Sequence, residues 1–166
     1  MKVLMYLFMV PLGALVVQVN DLSKIRGLYK SAAEVKVDAV QLNKLMLQVD
    51  SDAAPLLVCY KGANEMIQAK YTINPIVKFA KFNKGKDLIK KAFSRDTLNL
   101  EMRFIRFSIQ SNLPTFLGYR DELDNDKRYL LNNTKDSKDT ILKEMIFNYL
   151  TGLNVIKQEE LKQLKN

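Results

Sequence analysis

The side chains able to do chemistry in this chain form a short, uneven set. There is no histidine and one cysteine, Cys59. Histidine is the usual general base near neutral pH and the commonest ligand for transition metals. Its absence removes Ser-His and Cys-His nucleophile pairs together with most zinc sites. Cys59 stands inside the apolar run Leu56-Leu57-Val58-Cys59-Tyr60 and reads as a small buried hydrophobe. A lone cysteine closes no internal disulfide, so stability has to come from packing. The stretch Asn83-Lys84-Gly85-Lys86 shares only its end with a phosphate-cradling loop, lacking the upstream glycine and the strand before it. Asp121, Glu122, Asp124 and Asp126 are dense enough to suggest calcium. The run lacks the glycine at position six and the glutamate at position twelve that an EF-hand loop needs, and a solvated loop with a helix cap explains it better. No catalytic, cofactor-binding or metal-binding residue is expected, and the reading is of a protein that is not an enzyme.

Charge is the more informative signal. The chain carries a formal net charge of +8. Between Ile76 and Arg106 nine basic residues face three acids, so the excess is local. Lys78, Lys81, Lys84, Lys86, Lys90 and Lys91 lie in one helical stretch. Such a run is a solvated face by default and an anion-facing surface in the alternative, meeting lipid headgroups or an acidic envelope polymer. Further on, Arg103, Arg106 and Gln110 form the narrow polar stripe of an otherwise apolar helix, followed by Tyr119 in a loop. These four are the candidates to face a protein or peptide partner; the arginines alternatively pair inside the chain with Glu65 or Glu101. Nucleic acid is disfavoured, because Phe79, Phe82 and Phe93 fall at core spacing.

The elements that hold these residues are helical. Leu22, Ile25, Tyr29 and Ala32 mark one helix, capped by Asn20 or Asp21, and Val35, Ala39, Leu42, Met46 and Val49 mark a second. Ser51 or Asp52 is predicted to cap a third, with Pro55 in its first turn and a stripe of Leu56, Tyr60, Ala63, Ile67 and Tyr71. Asn74-Pro75 ends it and opens a fourth, whose apolar face is read as Ile76, Phe79, Ala80, Leu88, Ile89, Ala92 and Phe93. A fifth spans about Leu98 to Ser111, with Leu98, Met102, Ile105 and Ile109 on one face and Phe104 and Phe107 beside them. Pro114 to Tyr119 reads as a hydrophobic plug. Asp124 or Asn125 starts a sixth helix, Ser137 or Asp139 caps a seventh ended by Gly152 as its C′ residue, and Glu159 to Leu164 is a short last one.

Glycine inside a helix costs about 1 kcal/mol relative to alanine. Gly62 and Gly85 therefore need a reason, and close approach of two helix backbones supplies one. Tyr60-Lys61-Gly62-Ala63, then Gly85, Ile89 and Ala92, then the turn Asp96-Thr97-Leu98-Asn99 resemble a degenerate tetratricopeptide (TPR) hairpin, with Thr97 where that family has its turn proline. The fold class expected is all-α: antiparallel hairpins in a TPR-like, right-handed stack of about six to seven helices.

At the N-terminus, Lys2 precedes the apolar run Val3–Val17, the shape of a secretory signal peptide over residues 1–18, cleaved or retained as an anchor, with residues 19–166 as a single helical domain. The mature chain also resembles an uncharacterised family of exported helical proteins of Gram-negative bacteria. That likeness rests on the segments around Gly62, Pro75 and Gly85, and above all on Arg103-Phe104-Ile105-Arg106-Phe107-Ser108-Ile109-Gln110 leading to Pro114-x-Phe116-Leu117-Gly118-Tyr119. It implies an exported, periplasmic or secreted helical protein. Together these expectations describe a non-enzymatic scaffold at the cell envelope that binds a protein or peptide, without a cofactor.

Overall fold

Proline opens both central helices. Pro55 and Pro75 each stand in a first turn, where the missing N–H is no loss. The computed structural model describes residues 19–153. Within them run α1 (Val19–Ala32), α2 (Lys36–Met46), α3 (Pro55–Lys70), α4 (Pro75–Phe93), α5 (Leu100–Asn112), a 3-10 turn (Thr115–Leu117), α6 (Leu123–Asn133) and α7 (Thr140–Gly152). The fold is all-α. α1 with α2, α3 with α4 and α5 with α6 form antiparallel hairpins stacked in the manner of tetratricopeptide repeats, α3 also packs on α2 and α5, and α7 lies against α5. The proposed signal segment and the short helix at Glu159 to Leu164 lie outside the described residues.

The hairpin α3–α4 is the tightest contact in the stack, and the two glycines explain it. A Cβ on Gly62 would sit 2.8 Å from the Gly85 carbonyl oxygen and 2.8 Å from Ile89 Cγ1. α3 is buried on most of its circumference, with Val58, Cys59, Tyr60, Gly62, Ala63, Asn64, Glu65, Met66 and Ala69 all inside. The single stripe predicted for it was too narrow, because α2, α4 and α5 cover it from three directions. Each large side chain so buried contributes about 1.5–3 kcal/mol relative to exposure. A second apolar cluster joins Phe104 and Phe107 of α5 to Leu130 and Leu131 of α6 and Leu142, Ile146 and Leu150 of α7.

Several local expectations are corrected. α1 runs back to Val19, so Asn20 and Asp21 lie within it. Ala54, not Ser51 or Asp52, stands at the N-cap of α3 and offers no side-chain bond. Val35 is exposed ahead of α2, and Leu98 is exposed ahead of α5, where Asn99 caps instead by accepting from the Met102 N–H. Ile76 and Phe79 face solvent, while Phe82 is the buried aromatic of α4. Phe116 is exposed rather than plugged; Leu117 and Tyr119 make the contact with the core, and Gly118 takes the left-handed φ of +59° that ends the turn. α6 begins at Leu123, ahead of Asp124. Gly152 is the last residue of α7 and lacks a positive φ, so it is not a left-handed cap. Asn74 caps α4, a role not assigned to it from sequence, accepting from the Ile76 N–H at 2.9 Å. Of Ser137 and Asp139 it is Asp139 that caps α7, accepting from the Leu142 N–H at 2.9 Å.

Candidate functional site

The first polar constellation is a clamp across three hairpins. Arg26 of α1 donates to Glu101 of α5 through Nε at 2.7 Å and Nη2 at 2.6 Å, a two-pronged geometry suited to guanidinium and carboxylate. Tyr60 of α3 donates to the same carboxylate at 2.5 Å, and Arg26 reaches Asp139 at the start of α7 at 2.7 Å. Arg26 and Glu101 are buried at 7% and 3% exposure. The Glu101 hydrogen bond, assisted by Asp139 and opposed by burial, raises the Arg26 pKa. Burial, the Glu101 charge and its hydrogen bond hold the Tyr60 phenol well above its usual range. Beside it Tyr29 and Ser108 share a 2.6 Å hydrogen bond, and Tyr29 meets Tyr60 edge-to-face. Arg26, Tyr60 and Glu101 are matched and closed to solvent, with Asp139 and Tyr29 half-buried at the edge, which makes the cluster a joint between helices.

The second constellation contains the residues expected to face a partner. Arg103 donates to Asp126 Oδ1 at 2.9 Å, and Arg106 donates to both Asp126 oxygens at 2.6 and 2.8 Å. Arg103 also holds the Thr97 carbonyl, and its guanidinium lies 4.6 Å from the Tyr129 ring centroid. That of Arg106 lies 3.8 Å from Phe93, a stacked cation–π contact. Burial alone would lower the Arg106 pKa, but the hydrogen bond and charge of Asp126, with Glu122, raise it. The partner is thus Asp126 rather than Glu65 or Glu101. Gln110 is 1% exposed, and its Oε1 has no hydrogen-bond partner. Tyr119 is half-buried, edge-on to Phe82, with Lys86 5.2 Å from its ring. The structure therefore brings Arg103 and Arg106 together, inside the α5–α6 hairpin, and places Gln110 in the interior.

Asp126, expected in a solvated loop, is fully buried and anchors two arginines. Sequence reading passed over it, although it stands three residues after Leu123 and four before Leu130, on the apolar stripe of α6. Arg26 was missed likewise, between Leu22 and Tyr29 on the inner side of α1. Among the described residues no group of three or more His, Cys, Asp or Glu is placed to hold a metal ion.

The lysine run lies along α4 as expected, but its members differ. Lys81 and Lys84 bond Glu65 at 3.3 and 2.6 Å, and Lys91 bonds Asp52 at 3.2 Å. Burial pushes the Glu65 carboxyl up, but Lys84 and Lys81 outweigh it and the net shift is downward. Lys86 sits over Phe82 and Tyr119, while Lys78 and Lys90 are exposed and carry no ion pair among the described residues. Beside Glu65, Ile76, Val77, Ala80, Lys81 and Lys84 line a shallow recess of about 320 Å³. Two apolar surfaces stay uncovered: Ile73, Ile76, Val77 and Phe79 around the start of α4, and Val37, Val40 and Leu47 along α2. Among the described residues no helix is long and apolar enough to cross a membrane.

No protein-family model, curated protein or solved structure matches the chain. The functional reading therefore rests on the geometry.

Proposed function

We propose that the chain is a non-enzymatic helical scaffold that binds a protein or peptide partner at the cell envelope. The observation that carries this reading is the outer face of α2. Ala39, Leu42 and Met46 are buried on its inner side, while Val37 and Val40 on the opposite side, and Leu47 just past its end, are 65%, 46% and 71% exposed. They share that side with exposed Lys36, Gln41 and Lys44, so the outer face carries aliphatics among polar residues. In a stack of hairpins the uncovered side is where a further helix docks, and exposed aliphatics edged by polar side chains suit an amphipathic partner helix. The ionic clusters act in this reading as joints that fix the stack: Arg103 and Arg106 are held by Asp126. Export is supported by the signal-like run after Lys2.

The test is capture from an envelope extract by the full chain and by a Val37→Asp, Leu47→Asp variant, which should fold normally because both positions are exposed. One protein retained by the native chain and lost from the variant is the expected result. Equal retention, or turnover of a small molecule by the purified chain, would count against the reading.

A further inference from the structure

We infer that the start of α4, with the turn before it, is a contact for an anionic lipid surface that seats the chain on a membrane. This surface is separate from the α2 face, and the inference does not depend on the protein-binding reading.

Apolar side chains are exposed in the turn before α4 and in its first turns. Ile73 is 98% exposed, Ile76 79%, Phe79 61% and Val77 43%, and Ala80 is exposed beside them. α3 ends at Lys70, and α4 turns inward only at Phe82, Gly85 and Ile89. At 100° per residue Val77, Ile76 and Ala80 lie about 120–180° from Ile89, on the side away from the core, and Phe79 lies about 80° from it, at the flank. Ile76, Val77 and Ala80 themselves line one side of the shallow recess bordered by the Lys84–Glu65 ion pair, an open surface rather than a deep slot for a side chain.

Charge selects the occupant. α4 carries six lysines and one acid, Asp87. Lys78 stands in the first turn of α4, about 160° around the helix from Ala80, and Lys90 farther along it, both exposed and without an ion pair among the described residues. Protein interfaces are depleted in lysine, and α4 carries six lysines against the two, Lys36 and Lys44, of α2. Isoleucine and phenylalanine amid lysines are instead the composition of a helix at a lipid–water boundary, where apolar side chains enter the headgroup region and lysine stems extend back to the phosphates. Anionic lipid supplies the complementary charge, and the attraction fades as salt shortens the Debye length.

The chain has no tryptophan, so a single one reports locally. The full-length Phe79→Trp variant is mixed with vesicles of phosphatidylcholine containing roughly 30% phosphatidylglycerol, at about 50 mM salt. Its emission is expected to shift to the blue and to be quenched by brominated acyl chains. Pure phosphatidylcholine should give no shift, and about 500 mM salt should reverse it. A Val37→Trp chain, probing α2, should stay unshifted, which separates this contact from the partner face and from any binding by residues 1–18. Adding Lys78→Glu to Phe79→Trp should weaken partitioning by about tenfold at low salt. An unshifted Phe79→Trp chain, an equal shift at position 37, indifference to salt and to Lys78→Glu, or a shift produced by an envelope protein in place of vesicles would each overturn the inference.

Discussion

Gly62 and Gly85 stand back to back: a Cβ on the second would lie 2.7 Å from the carbonyl oxygen of the first and 2.6 Å from Met66 Cγ. Backbone oxygens cannot move aside cheaply, so alanine must push α3 from α4. Gly85→Ala should cost about 2–3 kcal/mol, in the range of overpacked cores. Gly27 in α1 is the control, since a Cβ there meets nothing within 4 Å. Gly27→Ala should gain about 0.5–1 kcal/mol from helix propensity and reduced unfolded-state freedom. Urea unfolding of both variants checks the pair, and a neutral Gly85→Ala would contradict the close approach.

Asp126 is fully buried, whereas the side chains of Arg103 and Arg106 retain 16% and 12% exposure. Removing the acid strands two cations in a partly dry corner, so Asp126→Asn should cost about 3 kcal/mol. Arg103→Ala should cost less, because Arg106 still neutralises the carboxylate. A double-mutant cycle between Arg103→Ala and Asp126→Ala should show a coupling above about 1 kcal/mol. Additive losses would mean that the acid and Arg103 act independently.

The Arg26 hydrogen bond, with the Leu142 backbone N–H, holds the Asp139 carboxyl below its usual range against a smaller effect of burial. A depressed folded pKa stabilises above the unfolded value, near 3.9, and the gain is lost as pH falls through the folded value. The Asp139 side chain is 40% exposed, so solvent screening keeps its share below about 1 kcal/mol. Glu65, lowered by Lys84 and Lys81 despite burial, adds in the same direction. Stability measured by denaturant should therefore drop below about pH 4, and Asp139→Asn should flatten part of that slope. An unchanged slope would remove Asp139 from the account.

The all-helical hairpin arrangement was legible because its punctuation is local. Asn74-Pro75 and Asp139 each satisfy or spare backbone donors at a helix start, and a mid-helix glycine signals a neighbour whatever the rest of the fold does. The start of α4 was misread because periodicity finds apolar residues without showing which side has a neighbour. Ile76 sits about 140° around the helix from Ile89, and merging them into one face hid the exposed side. The ionic joints were obscured for a different reason. Arg26 and Asp126 look like surface residues by type, and only partners 75 and 23 positions away, Glu101 and Arg103, make their burial affordable.

Cys59 joins the core to a chemical readout. It is the single cysteine of the chain, 0% exposed in the second turn of α3, and burial pushes its thiol pKa up. A protonated, covered thiol does not attack a disulfide reagent. In the folded chain modification should therefore proceed only through opening that uncovers α3, at a rate set by the stability of the packed helices. Gly85→Ala, if it costs about 2 kcal/mol, should speed labelling by roughly thirtyfold, while Gly27→Ala should leave it unchanged or slower. Reaction of native Cys59 at the rate of a free thiol would show that α3 is not covered as described. A Gly85→Ala rate equal to the native one would show that the two glycines do not control the hairpin.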